Sequence, residues 1–101
     1  MNEGAIPPAA LRDEDAVEML RVWVAEQGLH CSLKIGMYRE MGIVEEDAWG
    51  AILADAARQI ARALSSQSGL EEGVVLDNIR ARLLAELAHP TSPVKGGIRL
   101  S

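Results

Sequence analysis

Between Leu20 and Gly36 the chain alternates apolar and polar residues with period two, which is the pattern of a half-buried strand. Two β-prone runs, about 20–26 and 29–36, flank Gln27-Gly28, and glycine supplies the positive φ of a tight hairpin turn. With those two residues as the whole loop, Glu26 faces Leu29, Val24 faces Cys31, Trp23 faces Ser32, Val22 faces Leu33 and Arg21 faces Lys34. Leu20, Val22, Val24, Cys31, Leu33 and Ile35 then share one face, while Arg21, Trp23, Ala25, His30, Ser32 and Lys34 share the other. Slipping one strand by one residue sets apolar residues against polar ones. The rival reading is a single helix over 13–27, whose Ala, Glu, Met, Leu and Arg favour helix. Agreement between the two strands at a turn signal favours the hairpin.

Beyond the hairpin the period changes. Gly36, Met37, Tyr38 and Gly42 mark a connector, and Glu45-Glu46-Asp47 opens a helix over about 45–64 with acid at its positive end. Trp49, Ile52, Leu53, Ala56, Ala57, Ile60, Ala63 and Leu64 fall on one side of it, and Asp47, Asp55, Arg58, Gln59 and Arg62 on the other. Gly50, Ala54, Ala57 and Ala61 form a flank of small residues along which a second helix can approach closely. Ser65 to Gly69 reads as a loop. Ser68 and Glu71 have capping-box spacing for a helix over about 70–88, stopped by Pro90. Val75, Leu76, Ile79, Leu83, Leu84 and Leu87 are its apolar face, with Arg80 at the edge.

Ahead of the hairpin, 1–5 reads as a flexible terminus and Ile6-Pro7-Pro8 as extended chain. Asp13 is placed to N-cap a short helix from Glu14 to Met19. The single domain spans 6–90, and 91–101 is a tail in which Ile98-Arg99-Leu100 can add a short strand to a sheet edge. A lone hairpin is marginally stable in water. The predicted fold is therefore α+β: an antiparallel hairpin covered on one face by two amphipathic helices, with a short N-terminal helix.

Composition narrows the function. The 101 residues are 49% hydrophobic and 25% charged, which fits a folded domain, and two Trp, one Tyr and no Phe leave the core to aliphatic residues. A net charge of −5 argues against a nucleic-acid partner. No apolar run is long enough for a membrane helix, no secretory signal is visible, and one cysteine forms no internal disulfide, so the expected setting is cytoplasmic.

At this point the residues carry a kinship. Ile6-Pro7-Pro8-Ala9-Ala10, Leu20-Arg21-Val22-Trp23-Val24-Ala25, Gly28-Leu29-His30-Cys31-Ser32-Leu33, Ala48-Trp49-Gly50 and Leu53-Ala54-Asp55 together resemble a family of short bacterial proteins classed as a domain of unknown function, family 5076. The resemblance spans most of Ile6 to Leu87 and is most specific over Gly28 to Leu33. It implies the fold and a bacterial cytoplasmic setting, and brings no assigned activity.

Catalytic motifs are mostly absent from the sequence. Glycines 36 and 42, and 96 and 97, lack the strand-loop-helix context of a phosphate or dinucleotide site. One Cys with His30 and His89 is a poor zinc set. Cys31 and His30, being neighbours on a strand, point to opposite faces and make no nucleophile–base pair; Cys31 is expected in the core against Val24. No catalytic residue, metal or cofactor is assigned, and the balance leans away from an enzyme. Two readings remain. The preferred one is an interaction module that self-associates as a homodimer or binds a protein partner, because a small sheet has unpaired edges and Trp23 offers an apolar anchor. The alternative is a small-ligand or anion-binding protein that uses the polar hairpin face, with Arg21, Trp23, His30, Ser32 and Lys34 as binding residues.

Overall fold

The computed structural model describes residues 4–91 and the backbone of 95–100. Expectations for 1–3, for 92–94 and for 101 lie outside the described residues. In chain order the elements are α1 (Pro8–Arg12), β1 (Leu20–Ala25), β2 (Gly28–Ile35), α2 (Met37–Glu40), α3 (Glu45–Ser68), α4 (Glu72–Ala88) and β3 (Lys95–Leu100). The fold is α+β, with an antiparallel hairpin, two long helices and a short N-terminal helix.

That short helix lies earlier than the predicted 14–19. Pro8 opens it, because proline's fixed φ suits a first helical turn, while Pro7 stays extended. Asp13 does not start a helix there. Its carboxylate accepts from the backbone N–H of Asp15 at 2.9 Å and its carbonyl from Ala16 at 3.1 Å, a local turn that leads the chain out extended into β1.

The hairpin loop is Glu26-Gln27, not Gln27-Gly28. Both loop residues take positive φ, 51° and 64°, as a two-residue type I′ turn requires, and Gly28 is the first residue of β2, opposite Ala25. Every cross-strand pair therefore moves by two positions from the predicted register. Leu20 faces Leu33, Arg21 faces Ser32, Val22 faces Cys31, Trp23 faces His30 and Val24 faces Leu29. A shift of two preserves the side-chain parity, so the two faces keep their membership although their pairs change. Arg21 and Lys34 are consequently not opposed, and Cys31 lies against Val22 rather than Val24.

The C-terminal segment contributes a strand. β3 pairs with β2 in parallel, from His30 opposite Lys95 to Ile35 opposite Leu100, giving the order β1-β2-β3 in a mixed sheet. Two parallel neighbours need a long crossover, and α2, α3 and α4 are that crossover.

α3 extends one turn beyond the predicted end, through Ser68, and Gly69 closes it at φ 78°. Ser68 is thus the last residue of α3 and cannot cap α4. The predicted capping box does not form: Glu71 occupies the N-cap position with no side-chain cap bond, and the Ser68 hydroxyl accepts instead from Leu70 N–H at 3.2 Å. α4 packs antiparallel on α3 along the small-residue flank, where Ala61 is 0% exposed, and Val75 approaches from α4 at 7%. Among the described residues these two are the buried apolar side chains. The helical cover over the sheet is partial. Met19 and Leu20 adjoin Ile52, Ala56 and Ile60 of α3, but exposure climbs along β1 until Val24 is 80% exposed.

Candidate interaction surface

The polar hairpin face holds the five predicted binding residues on one side of the sheet, and it is already engaged within the chain. The Arg21 guanidinium donates to the Glu18 carboxylate from Nε at 3.2 Å and from Nη2 at 2.7 Å. It also lies 5.9 Å from the centroid of the Trp23 ring, a cation–π distance. Trp23 and His30 are cross-strand partners, Ser32 stands opposite Arg21, and Lys34 lies farther along, its backbone N–H donating to the Met19 carbonyl at 3.0 Å. His30 Nε2 is buried and has no hydrogen-bond partner among the described residues. An unsatisfied buried polar atom costs about 1–3 kcal/mol, so this nitrogen is the one polar group on the face that the described residues leave wanting. Cys31 is only half-buried, not in the core as expected, because the helical cover over this face is partial; it does lie on the face opposite His30, as the strand pattern predicts.

The connector carries a feature that sequence reading missed. Glu45, the first residue of α3, turns its carboxylate back onto the start of α2. It accepts from Gly36 N–H at 2.9 Å and Arg39 N–H at 3.0 Å, and Trp49 Nε1 lies 3.4 Å away. Bonding to the Gly36 N–H, with further help from Arg39 and Trp49, outweighs desolvation and holds the Glu45 carboxyl below its ordinary value. Gly36 itself sits at φ 104°, a conformation that only glycine adopts without strain. Glu86 is a second latch: it accepts from Thr91 N–H at 3.0 Å and from the Thr91 hydroxyl, and pairs with Arg82 at 2.8 Å. The Thr91 backbone bond comes first among the causes that lower its carboxyl. Both glutamates fix chain reversals.

Apolar surface is the larger feature. Leu53, Ile60 and Leu64 of α3 and Leu83, Leu84 and Leu87 of α4 are each about half-exposed or more, with Leu87 at 71%. On the hairpin, Val22, Val24 and Leu29 are similarly open. The chain exposes 8128 Å², whereas a compact monomer of its 10.9 kDa exposes about 5,600 Å². Its radius of gyration, 15.4 Å, likewise exceeds the roughly 13 Å of a compact chain this long. Arg80, expected at a core edge, is exposed and paired with Asp77 at 2.7 Å. No described helix is long and apolar enough to cross a membrane.

Comparison with known proteins fits this architecture. The model of the family described as "Domain of unknown function (DUF5076)" matches residues 3–91. Among solved structures, a chain from the photosynthetic bacterium Rhodopseudomonas palustrus CGA009, named as a "putative pyruvate dehydrogenase", superposes with a TM-score of 0.69 at 30% sequence identity. The match covers 92% of this chain and 90% of that one. No curated protein matches the chain.

Proposed function

We propose that this chain, which belongs to the DUF5076 family, is a non-enzymatic interaction module that works as a self-associated species. One observation carries the reading: the chain exposes about 2,500 Å² more than a compact monomer of its mass. Among the described residues that surface includes Leu53, Ile60 and Leu64 of α3 and Leu83, Leu84 and Leu87 of α4, each about half-exposed or more, and soluble monomers rarely expose a contiguous apolar patch larger than a few hundred Å². Burying it against a second chain removes it at about 25 cal/mol per Å² of apolar area. The setting is a bacterial cytoplasm, and the acidic balance of the chain disfavours nucleic acid as the partner. Size-exclusion chromatography with light scattering tests the reading. A mass of two chains or a higher multiple supports it, and a mass of one chain at high concentration contradicts it.

The second reading places a small anion on the polar face formed by Arg21, Trp23, His30, Ser32 and Lys34, and the unpartnered Nε2 of His30 favours it. A ligand there competes with Glu18 for the Arg21 guanidinium. A thermal-shift screen against metabolite anions distinguishes the two readings: a rise in melting temperature that His30→Ala abolishes supports the second. The dehydrogenase name of the 30%-identical neighbour adds no residue to either reading. Among the described residues no three His, Cys, Asp or Glu side chains converge, and the glycines lack a cofactor-cradle pattern.

A further inference from the structure

β1 is an outer strand of the sheet, whose order is β1-β2-β3. One hydrogen bond fixes which way its backbone groups point. Lys34 N–H donates to the Met19 carbonyl at 3.0 Å, and these two residues continue the β1–β2 register one step beyond Leu20 opposite Leu33. In an antiparallel ladder, residues that exchange bonds with the partner strand alternate with residues that turn their N–H and C=O away from it. Arg21, Trp23 and Ala25 therefore bond inward to β2, while Leu20, Val22 and Val24 turn their backbone groups outward. Among the described residues nothing bonds to those outward groups. Gly4, Ala5 and Ile6 pass the same edge across a cavity of about 230 Å³ and make no backbone hydrogen bond to it. Natural sheets blunt such an edge with proline, lysine, a bulge or a very short strand. β1 has none of these: it is six residues, Leu-Arg-Val-Trp-Val-Ala, paired with β2 without interruption from Leu20 to Ala25. Its one charge, on Arg21, is closed by Glu18 at 2.7 Å.

We infer that the self-association proposed above, on which this rests, runs through this edge: a second copy of the chain adds its own β1 antiparallel, with Val22 on the twofold axis. The strand matches itself. Its outward residues are symmetric about Val22, so this register engages every outward group: Leu20 with the partner's Val24, Val22 with the partner's Val22, and Val24 with the partner's Leu20, each pair exchanging both bonds. Moving the copy by two residues one way sets Leu20 against the partner's Glu26, whose φ of 51° belongs to the turn. Moving it the other way sets Arg21 against its own image, a like-charge pair. The side chains agree with the backbone. On one face apolar residues meet apolar residues. On the other, Arg21 stands opposite the partner's Trp23, repeating across the axis the cation–π pairing that the two make within the chain at 5.9 Å. Beyond the ends, Glu26 falls opposite the partner's Glu18, whose carboxylate is already closed on Arg21. Any extended strand can satisfy the edge's backbone; β1 itself satisfies backbone and side chains in one register, which selects a second copy. A twofold normal to the sheet makes one continuous sheet across both copies and keeps their helices on the same side of it.

The test uses the full chain. Light scattering reads the mass of wild type, of Val22→Pro and of Val22→Thr at one concentration. Proline at this position removes only an outward N–H and sets its ring in the path of an added strand, so the β1–β2 ladder survives. Threonine keeps the N–H and the β-branch. The expected result is two chains for wild type and Val22→Thr, and one chain for Val22→Pro. Loss of the partner can itself unfold the proline variant, so a second measurement leaves the edge intact. In a Cys31→Ser background, which removes the thiol opposite Val22, Val22→Cys and Val24→Cys are oxidised mildly. Position 22 faces its own image at a Cα separation of about 5.5 Å, within disulfide reach, whereas the two copies of position 24 are offset by roughly 13 Å along the strands. The expected result is a covalent dimer from Val22→Cys and none from Val24→Cys. Two chains for Val22→Pro, or no disulfide from a two-chain Val22→Cys, overturns the β1 edge and leaves self-association standing through another surface. A wild type of one chain overturns both.

Discussion

At the scale of single residues, Glu45 joins two elements that would otherwise be linked only by the connector. Its carboxyl is held below the ordinary value chiefly by the Gly36 N–H. A carboxyl lowered in the folded state contributes stability that is present above its unfolded value and lost as pH falls through the folded value. Glu45→Gln is therefore expected to melt earlier than wild type at neutral pH. The gap should begin to narrow once pH falls below the ordinary glutamate value of about 4.3 and close as pH falls through the lowered value of the folded state, where wild type becomes protonated as well. Melting curves from pH 7 down to pH 3 read this directly, and a gap that stays constant with pH would mean that charge at Glu45 is irrelevant. The loop residues Glu26 and Gln27 provide a second residue-level prediction. Each holds a positive φ that costs a non-glycine residue roughly 1 kcal/mol. Replacing the pair with Asn-Gly, the residues this turn prefers, should raise the urea midpoint; an unchanged or lower midpoint would place the turn elsewhere.

The elements show what the chain's pattern could and could not disclose. Strand alternation over 20–35 was legible because parity depends only on which residues alternate, and it survives a two-residue error in register. The register itself was not legible. Gly28 is the strongest local turn signal, yet the positive φ values fall on Glu26 and Gln27, whose side chains give no hint of them. The polar-face residues were thus collected correctly, while the expected clash of Arg21 with Lys34 was not real. The small-residue flank of α3 was legible for the reason it works: Ala61 has no side chain to hold α4 away. Ala61→Leu should cost about 1–3 kcal/mol by overpacking that contact, measured by chemical denaturation. Ser65 to Ser68 read as loop because serine is a poor helix former, and α3 nonetheless continues until Gly69 can turn. β3 was only glimpsed, since Gly96-Gly97 weakens any strand signal and parallel pairing leaves no local turn to read.

At the scale of the whole molecule, the open surface decides the account. Helical periodicity identified the leucines of α4 as a buried face, but periodicity cannot say whether the cover is the sheet, α3 or another chain. In the folded chain α3 takes one side of α4, the sheet takes little, and Leu83, Leu84 and Leu87 stay in water. A fold whose described apolar core is limited to Ala61 and Val75 gains too little from its own interior to stand far above its conformational entropy cost. Its stability should therefore be tied to association, and chain concentration should appear in the melting curve. The thermal midpoint of the wild-type chain, followed by circular dichroism over a hundredfold range of concentration, is the most direct test. The account predicts a midpoint that climbs steadily with concentration, by several degrees across the range. A midpoint that stays fixed, with a cooperative transition at the lowest concentration, would mean that the single chain is stable alone and would contradict it.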